Sequence, residues 1–119
     1  MTNMDTTTQT MTPEAQRIAI AEARGWQKVY SEFWKRYIWK NNGNNALTVG
    51  ALPDYTNDLN AMHEAEKILT YDQQDEFTGW ISCIIPKSDD PRYYEWAITH
   101  ATAAQRAEAF LRTIGKWVE

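Results

Sequence analysis

The chain has 119 residues, of which 43% are hydrophobic and 13% aromatic, and a formal net charge of −4. A chain of this length builds one hydrophobic core but not two. The negative net charge excludes the general electrostatic footprint of a protein that binds duplex nucleic acid. The chain has one cysteine, Cys83, which excludes an internal disulfide and fits a reducing cytoplasm.

The sequence lacks the usual signals for a membrane. The apolar run Trp80–Ile85 is far too short to span a bilayer, and the N-terminus lacks the basic start and apolar block of a signal peptide. We therefore expect a cytoplasmic protein without membrane contact. Residues 1–10 are polar and hold nothing to bury, so we expect a disordered extension before a single domain at 11–119.

The first predicted helix has clear signals at both ends. Thr12 is a good N-cap, Pro13 suits the first helical position, and Glu14 complements the helix dipole. The helix is expected to run to about Arg24, where Gly25 supplies a left-handed cap. Its apolar face consists of small residues, so another element can approach closely.

The segment 26–52 is less regular and rich in aromatic residues. The turn Asn41-Asn42-Gly43-Asn44-Asn45 predicts a hairpin, with Ala46–Leu52 as its return strand. Whether a strand or a helix precedes the turn stays open, because Trp34, Tyr37 and Ile38 also fit helical spacing.

A second helix is predicted from about Thr56 to Leu69, with a stripe that includes Met62 and Ala65 facing the core. Asp58 falls inside the apolar arc of this helix. We favour a capping role for Asp58; a buried carboxylate would instead need a partner such as Arg106 or a tryptophan N–H.

Two strands and a last helix complete the predicted elements. Phe77–Ile85 is predicted as a strand with two apolar faces, and Tyr93–Thr99 as a second, alternating strand. Thr102 and Gln105 form a capping box, and Gly115 ends the helix that follows. Taken together, the predicted elements indicate an α+β fold, with a small antiparallel sheet of two to four strands covered by about three helices in a sandwich-like arrangement.

Three segments together carry a family resemblance: TPEAQRIAIAEARGW, PDYTNDLNAMHEAEKIL and HATAAQRAEAFLRTIGKW. In this order they resemble small proteins of tailed bacteriophages, the phage ABA sandwich domain family. The resemblance covers most of Met11–Val118 and implies a small antiparallel sheet covered by helices. It also implies a phage gene that acts in the cytoplasm of an infected bacterium, where such genes often modulate the host or counter its defences. It assigns no catalytic residue.

The chain departs from the family pattern between Gln27 and Leu52. Family members tend to carry a tryptophan followed by an Asn-Pro-x-Gly turn. Here the residues Trp39-Lys40-Asn41-Asn42-Gly43 lack the proline, and the segment is longer and more aromatic.

No catalytic or metal-binding motif is complete in this sequence. His63-Glu64-Ala65-Glu66 resembles the start of a zinc-protease motif, but Lys67 stands where the second histidine is required. A site of both histidines, His63 and His100, with Glu64 or Asp58 needs distant elements to converge, so a surface histidine is the simpler interpretation. Cys83 is expected to be a buried, inert thiol. We predict no cofactor, no metal and no enzymatic activity.

The aromatic and basic segment Tyr30–Lys40 is the strongest candidate for binding. Its rings are suited to stacking on bases, while its basic side chains are suited to phosphates. The same residues also suit a core or a dimer interface, and the sequence leaves both interpretations open. The predicted ligand-binding residues are Tyr30, Trp34, Lys35, Arg36, Tyr37, Trp39, Asn60, His63 and Arg106.

Three functions are compatible with these patterns. The first is a non-enzymatic phage protein that captures a small nucleotide-type signal of host defence, at a homodimer interface. The second is a protein-binding inhibitor of a host defence complex or nuclease, similar to an anti-CRISPR protein. The third is a hydrolase that uses His63, Glu64 and His100, which the lack of a converging motif disfavours.

Overall fold

The computed structural model of the protein describes residues 11–87 and 89–119, and the predicted extension 1–10 lies outside them. Within these residues, three antiparallel strands form one open sheet and five α-helices accompany it. The α+β class and the size of the sheet are therefore as predicted. The elements are α1 (Pro13–Ala23), β1 (Gln27–Ser31), β2 (Arg36–Asn41), β3 (Asn44–Ala46), α2 (Leu59–Glu66), α3 (Tyr71–Ile84), α4 (Pro91–Thr99) and α5 (Ala103–Thr113).

Helix α5 is the centre of the helical part. It packs against α1, α2 and α3, while α4 packs against α3. Phe110 and Leu111 of α5 are fully buried, together with Ile20 of α1, Met62 of α2 and Ile81 of α3. We call this part, 11–23, 59–87 and 89–119, the helical body. Its core is built from one apolar stripe on each helix, which is the usual way in which helices bury apolar surface.

Helices α1 and α5 end in the same way, as their sequences predict. Gly25 and Gly115 both have positive φ, +100° and +77°. After Gly25, the N–H of Trp26 donates to the carbonyl of Ala21; after Gly115, the N–H of Lys116 donates to the carbonyl of Leu111. These are Schellman bonds, which satisfy carbonyl groups left open at a helix end.

Helix α2 is shorter than predicted, since it begins at Leu59 rather than near Thr56. Asp58 is its N-cap: the side chain is exposed and accepts hydrogen bonds from the N–H groups of Asn60 and Ala61. The capping role predicted for Asp58 is therefore confirmed.

The strand predicted at Phe77–Ile85 is wrong, because this segment belongs to helix α3. Thr70 and Gln73 form a complete capping box at the start of α3. From there the buried residues Phe77, Ile81 and Ile85 recur every four residues, which places them on one helical face.

The strand predicted at Tyr93–Thr99 is also wrong, because this segment lies in helix α4. Asp90 caps the helix by accepting a hydrogen bond from the N–H of Arg92, and Pro91 takes the first helical turn. Ala97 and Ala101 are buried four residues apart. The polar residues that alternate along this segment follow the outer face of a helix rather than one face of a sheet.

The sheet begins directly after α1 and resolves the ambiguity in the aromatic segment. Strand β1 pairs with β2 from Gln27 opposite Lys40 to Ser31 opposite Arg36, so the segment before the predicted turn is a strand. Asn42 and Gly43 form the turn to β3, both with positive φ. The return strand is shorter than predicted: β3 ends at Ala46, and Val49–Ala51 forms a single 3-10 turn.

The loop after the sheet is attached to the helical body by Arg17. The guanidinium group of Arg17 donates to the carbonyl oxygens of Gly50, Leu52 and Pro53. These bonds fix the 50–53 segment against α1. The base of the sheet is therefore attached to α1 on both sides: β1 follows α1 directly along the chain, and the 50–53 segment after β3 is bonded to Arg17.

Candidate functional site

The segment Lys28–Lys40 forms a hairpin that carries exposed aromatic rings, and we call it the aromatic hairpin. Phe33, in the turn, is 84% exposed, and Tyr37 on β2 is 60% exposed. Tyr30 and Trp34 are each exposed by about half. Four large rings at the end of one hairpin are therefore in contact with solvent.

The two tyrosines of the hairpin lie on one face of the sheet. Tyr30 is directly opposite Tyr37, and their ring centroids are 5.4 Å apart in an edge-to-face arrangement. The ammonium nitrogen of Lys28 lies 5.8 Å from the centroid of the Tyr37 ring, within reach of a cation–π contact. This face thus combines two rings and a cation.

The tip of the hairpin adds a second pair of rings. Phe33 and Trp34 meet edge to face, with ring centroids 5.1 Å apart. The N–H of Trp34 donates to Oγ of Ser31, which stabilises the turn. Lys35 has a positive φ of +56° and pairs with Glu32 at 3.2 Å, in full contact with water.

The hairpin is also electrically distinct from the rest of the chain. It carries Lys28, Lys35, Arg36 and Lys40 against the single acid Glu32, a net charge of +3, whereas the whole chain carries −4. Arg36 and Lys40 alternate with Tyr37 along β2 and so lie on the opposite face of the sheet. Both faces of the hairpin therefore carry positive charge, Lys28 on the face of the tyrosine rings and Arg36 and Lys40 on the other.

Trp39, predicted as a ligand-binding residue, is part of the core. Its side chain is only 6% exposed and packs with the buried residues of the helical body. Trp39 pairs with Ala46 of β3, whose small side chain leaves room for the indole ring. Stacking of Trp39 on a ligand is therefore excluded in this structure, and Trp39 instead anchors the hairpin.

Asn60, His63 and Arg106 lie on the helical body rather than on the hairpin. Asn60 and His63 are exposed on α2, three residues apart on one surface. Arg106 of α5 donates two hydrogen bonds of 2.8 Å to Glu66, and both side chains are about 85% buried. Its guanidinium also lies 5.4 Å from the Phe77 ring. Arg106 is thus occupied in joining α5 to α2 and α3.

His100 and Cys83, the two remaining residues considered for chemistry in the sequence, lie in unrelated parts of the surface. His100 stacks on Trp96 with ring centroids 4.1 Å apart, and its Nδ1 lies 2.8 Å from the carbonyl oxygen of Trp96. Cys83 is exposed, so the prediction of a buried thiol is wrong; on α3 it lies on the outer face, away from the Phe77 and Ile81 stripe. Among residues 11–87 and 89–119, no three acidic, histidine or cysteine side chains are arranged to hold a metal ion.

A cavity of about 230 Å³ lies where the hairpin joins the helical body, and we call it the hairpin-base cavity. It is formed by Arg24, Trp26, Asn41, Pro53, Tyr55, Ala61 and Glu64. Burial raises the pKa of Tyr55, whereas the charge of Arg24 and a hydrogen bond from Trp26 act to lower it. The exposed Glu64 has a lowered pKa because it accepts a hydrogen bond from Lys67.

Sequence reasoning missed two parts of this picture. Phe33 and Lys28 belong to the exposed surface of the hairpin, and their position beside Trp34 and Tyr30 was the available signal. The hairpin-base cavity has no signal of its own, because four separate segments of the chain contribute to it.

Comparison of the chain with protein-family models, with curated proteins and with solved structures yields no match. The resemblance to the phage ABA sandwich domain family therefore stays a prediction. In the described parts of the chain, no helix is long and apolar enough to cross a membrane.

Proposed function

We propose that the protein is a non-enzymatic binding protein that captures a nucleotide-type ligand on the aromatic hairpin. One observation carries the proposal: four exposed rings share a hairpin of net charge +3 in a chain of net charge −4. Stacking of a base on an aromatic side chain contributes about 1–3 kcal/mol, and nearby cations attract phosphates.

The exposure of the rings favours a ligand with more than one base. Phe33 and Tyr37 have open surroundings, so a single base that stacks on either ring stays largely in water. A ligand with two or more bases contacts two rings at once, and the second contact is then intramolecular. Cyclic dinucleotides, cyclic oligonucleotides and short single strands meet this condition.

The phage resemblance suggests where such a ligand comes from. The ligand would be a nucleotide signal of bacterial antiviral defence, and the protein would act in the cytoplasm of the infected host by removing that signal. A homodimer would bring a second hairpin to the same ligand. Both points rest on the resemblance and on the chemistry of the hairpin.

Isothermal titration with cyclic dinucleotides, cyclic trinucleotides and short single-stranded oligonucleotides tests the proposal. Trp34→Ala and Tyr37→Ala should each weaken binding about 5- to 150-fold, from the loss of one stacking contact. Tyr71→Ala is the matched control, because Tyr71 is 81% exposed but lies on α3, outside the hairpin. An absence of binding to every ligand at micromolar protein would refute the proposal.

A protein partner is the second candidate, and the composition of the hairpin tip favours it. Tryptophan, tyrosine and arginine are the residues that most often dominate the energy of protein interfaces, and Trp34, Arg36 and Tyr37 are all exposed here. The partner would be a host defence protein with an acidic groove. A complex that forms in host lysate with the wild type, and that Trp34→Ala abolishes, supports this candidate if no nucleotide binds.

A further inference from the structure

The hairpin-base cavity is separate from the exposed rings of the aromatic hairpin. Trp26 precedes β1 and Asn41 ends β2, so both lie at the base of the sheet, whereas Phe33 and Trp34 lie in the turn at the other end. The residues between Arg36 and Asn41 span about 17 Å of extended strand. A ligand in the cavity therefore does not need the rings at the tip.

The cavity carries an excess of positive charge. Arg24 lines it, and none of the ion pairs formed by the described residues involves the Arg24 side chain. Glu64, the acid of the cavity, is 2.7 Å from the ammonium group of Lys67, so Arg24, Glu64 and Lys67 together carry a net charge of +1. The charge of Arg24 also helps to lower the pKa of Glu64, after the larger effect of Lys67, yet the net positive charge of the three side chains favours an anionic group.

The rest of the cavity wall is suited to a flat ring. Tyr55 is only 3% exposed, Trp26 packs against the core, and Pro53 and Ala61 add further apolar surface. Asn41 uses its amide nitrogen to donate to the carbonyl oxygen of Arg24 at 3.3 Å, which leaves its Oδ1 as an acceptor. Aromatic walls with a few polar groups are typical of small-molecule sites.

The size of the cavity limits the ligand to one ring system. Its volume of about 230 Å³ is below the range of about 300–1,000 Å³ that is usual for drug-sized ligands. A ring therefore fills the cavity, and its acidic group reaches Arg24 at the edge.

We propose that the hairpin-base cavity binds a small planar ring that carries one anionic group, with Arg24 as the partner of the anion. Two kinds of molecule share this chemistry: an aromatic carboxylate, and a nucleoside monophosphate whose base fills the cavity while its ribose stays outside and joins the base to the phosphate. The proposal does not rest on nucleotide capture by the aromatic hairpin.

Titration of the full-length protein with AMP and, separately, with benzoate tests the site. Binding should shift the indole N–H resonance of Trp26 in ¹H–¹⁵N spectra, and the probe that shifts it at lower concentration identifies the source. Arg24→Gln should weaken binding at least tenfold, because the anion loses its charged partner. Glu64→Gln is the matched control: it lines the same cavity, and removal of its negative charge should leave the affinity equal or higher.

Arg24→Lys keeps the experiment informative if Arg24→Gln does not fold, since it keeps the charge and should retain more binding than Arg24→Ala. In Tyr37→Ala, the Trp26 resonance must respond to the probe at the same concentration as in the wild type, whatever happens to binding at the hairpin tip, which separates this site from the tip. The proposal is overturned if neither probe shifts the Trp26 resonance at millimolar concentration. It is equally overturned if a folded Arg24 variant without the charge binds as tightly as the wild type.

Discussion

The helical body and the aromatic hairpin use the same kinds of residue in opposite ways. In the body, the ring of Phe110 is fully buried between α5 and its neighbours, whereas the ring of Phe33 on the hairpin is 84% exposed. The body gains stability from its rings, while the hairpin leaves its rings available to a ligand. The comparison shows that packing of the core accounts for only part of the high aromatic content.

The largest expected effect contrasts a phenylalanine from each region. Phe110→Ala should lower the free energy of unfolding by about 3–5 kcal/mol, because it opens a cavity in a closely packed core. Phe33→Ala should change it by no more than about 0.5 kcal/mol, because the ring is already in water. Urea denaturation of both variants measures the difference, and a comparable loss for Phe33→Ala would show that the hairpin tip is part of the core.

The second comparison is between two glutamates of α2, the largely buried Glu66 and the exposed Glu64. Glu66→Ala leaves the largely buried Arg106 without its partner and should cost about 3 kcal/mol. Glu64→Ala removes an exposed ion pair with Lys67 and should have no measurable effect on stability. Thermal and urea unfolding provide the measurement. An equal effect of the two substitutions would mean that the Arg106 ion pair does not join α2 to α5.

The third and mildest substitution tests helix α3, which occupies the segment that the sequence predicts as a strand. Thr70→Ala removes the capping box of α3 and should cost about 1 kcal/mol. Thr78→Ala, in the middle of α3, is the control and should be neutral or slightly stabilising, because alanine favours a helix over threonine. If Thr78→Ala is instead the more harmful of the two, α3 does not begin at the Thr70 cap.

The elements that the sequence predicts correctly are those with a signal at both ends. Helices α1 and α5 have a threonine cap before them and a glycine after them. In α3 the apolar run Ile81–Ile85 is compatible with a strand that has two apolar faces, whereas the spacing of Phe77, Ile81 and Ile85 fits a helix. The capping box at Thr70 and Gln73, identical in pattern to the one at Thr102 and Gln105, was available and decides for a helix.

In the candidate site, too, the local sequence does not predict which aromatic residues are exposed. Tyr37 and Trp39 are two positions apart on one strand and share a face, yet Tyr37 is exposed and Trp39 buried. What separates them is β3, because Trp39 lies beside Ala46 and Tyr37 lies beyond the end of that strand. No local sequence pattern predicts this difference in exposure between Tyr37 and Trp39. The hairpin-base cavity is harder still, since it exists only once distant segments have met.

The uneven width of the sheet has a consequence for the local stability of the hairpin along its length. Near Trp39 and Lys40, β2 has a hydrogen-bonded neighbour on each side, whereas from Arg36 to Ile38 only β1 accompanies it. Backbone amides should therefore exchange with deuterium fastest at the tip and slowest at the base, a gradient along a single strand. The tip is therefore the part of the hairpin that opens most readily, while the base keeps its register.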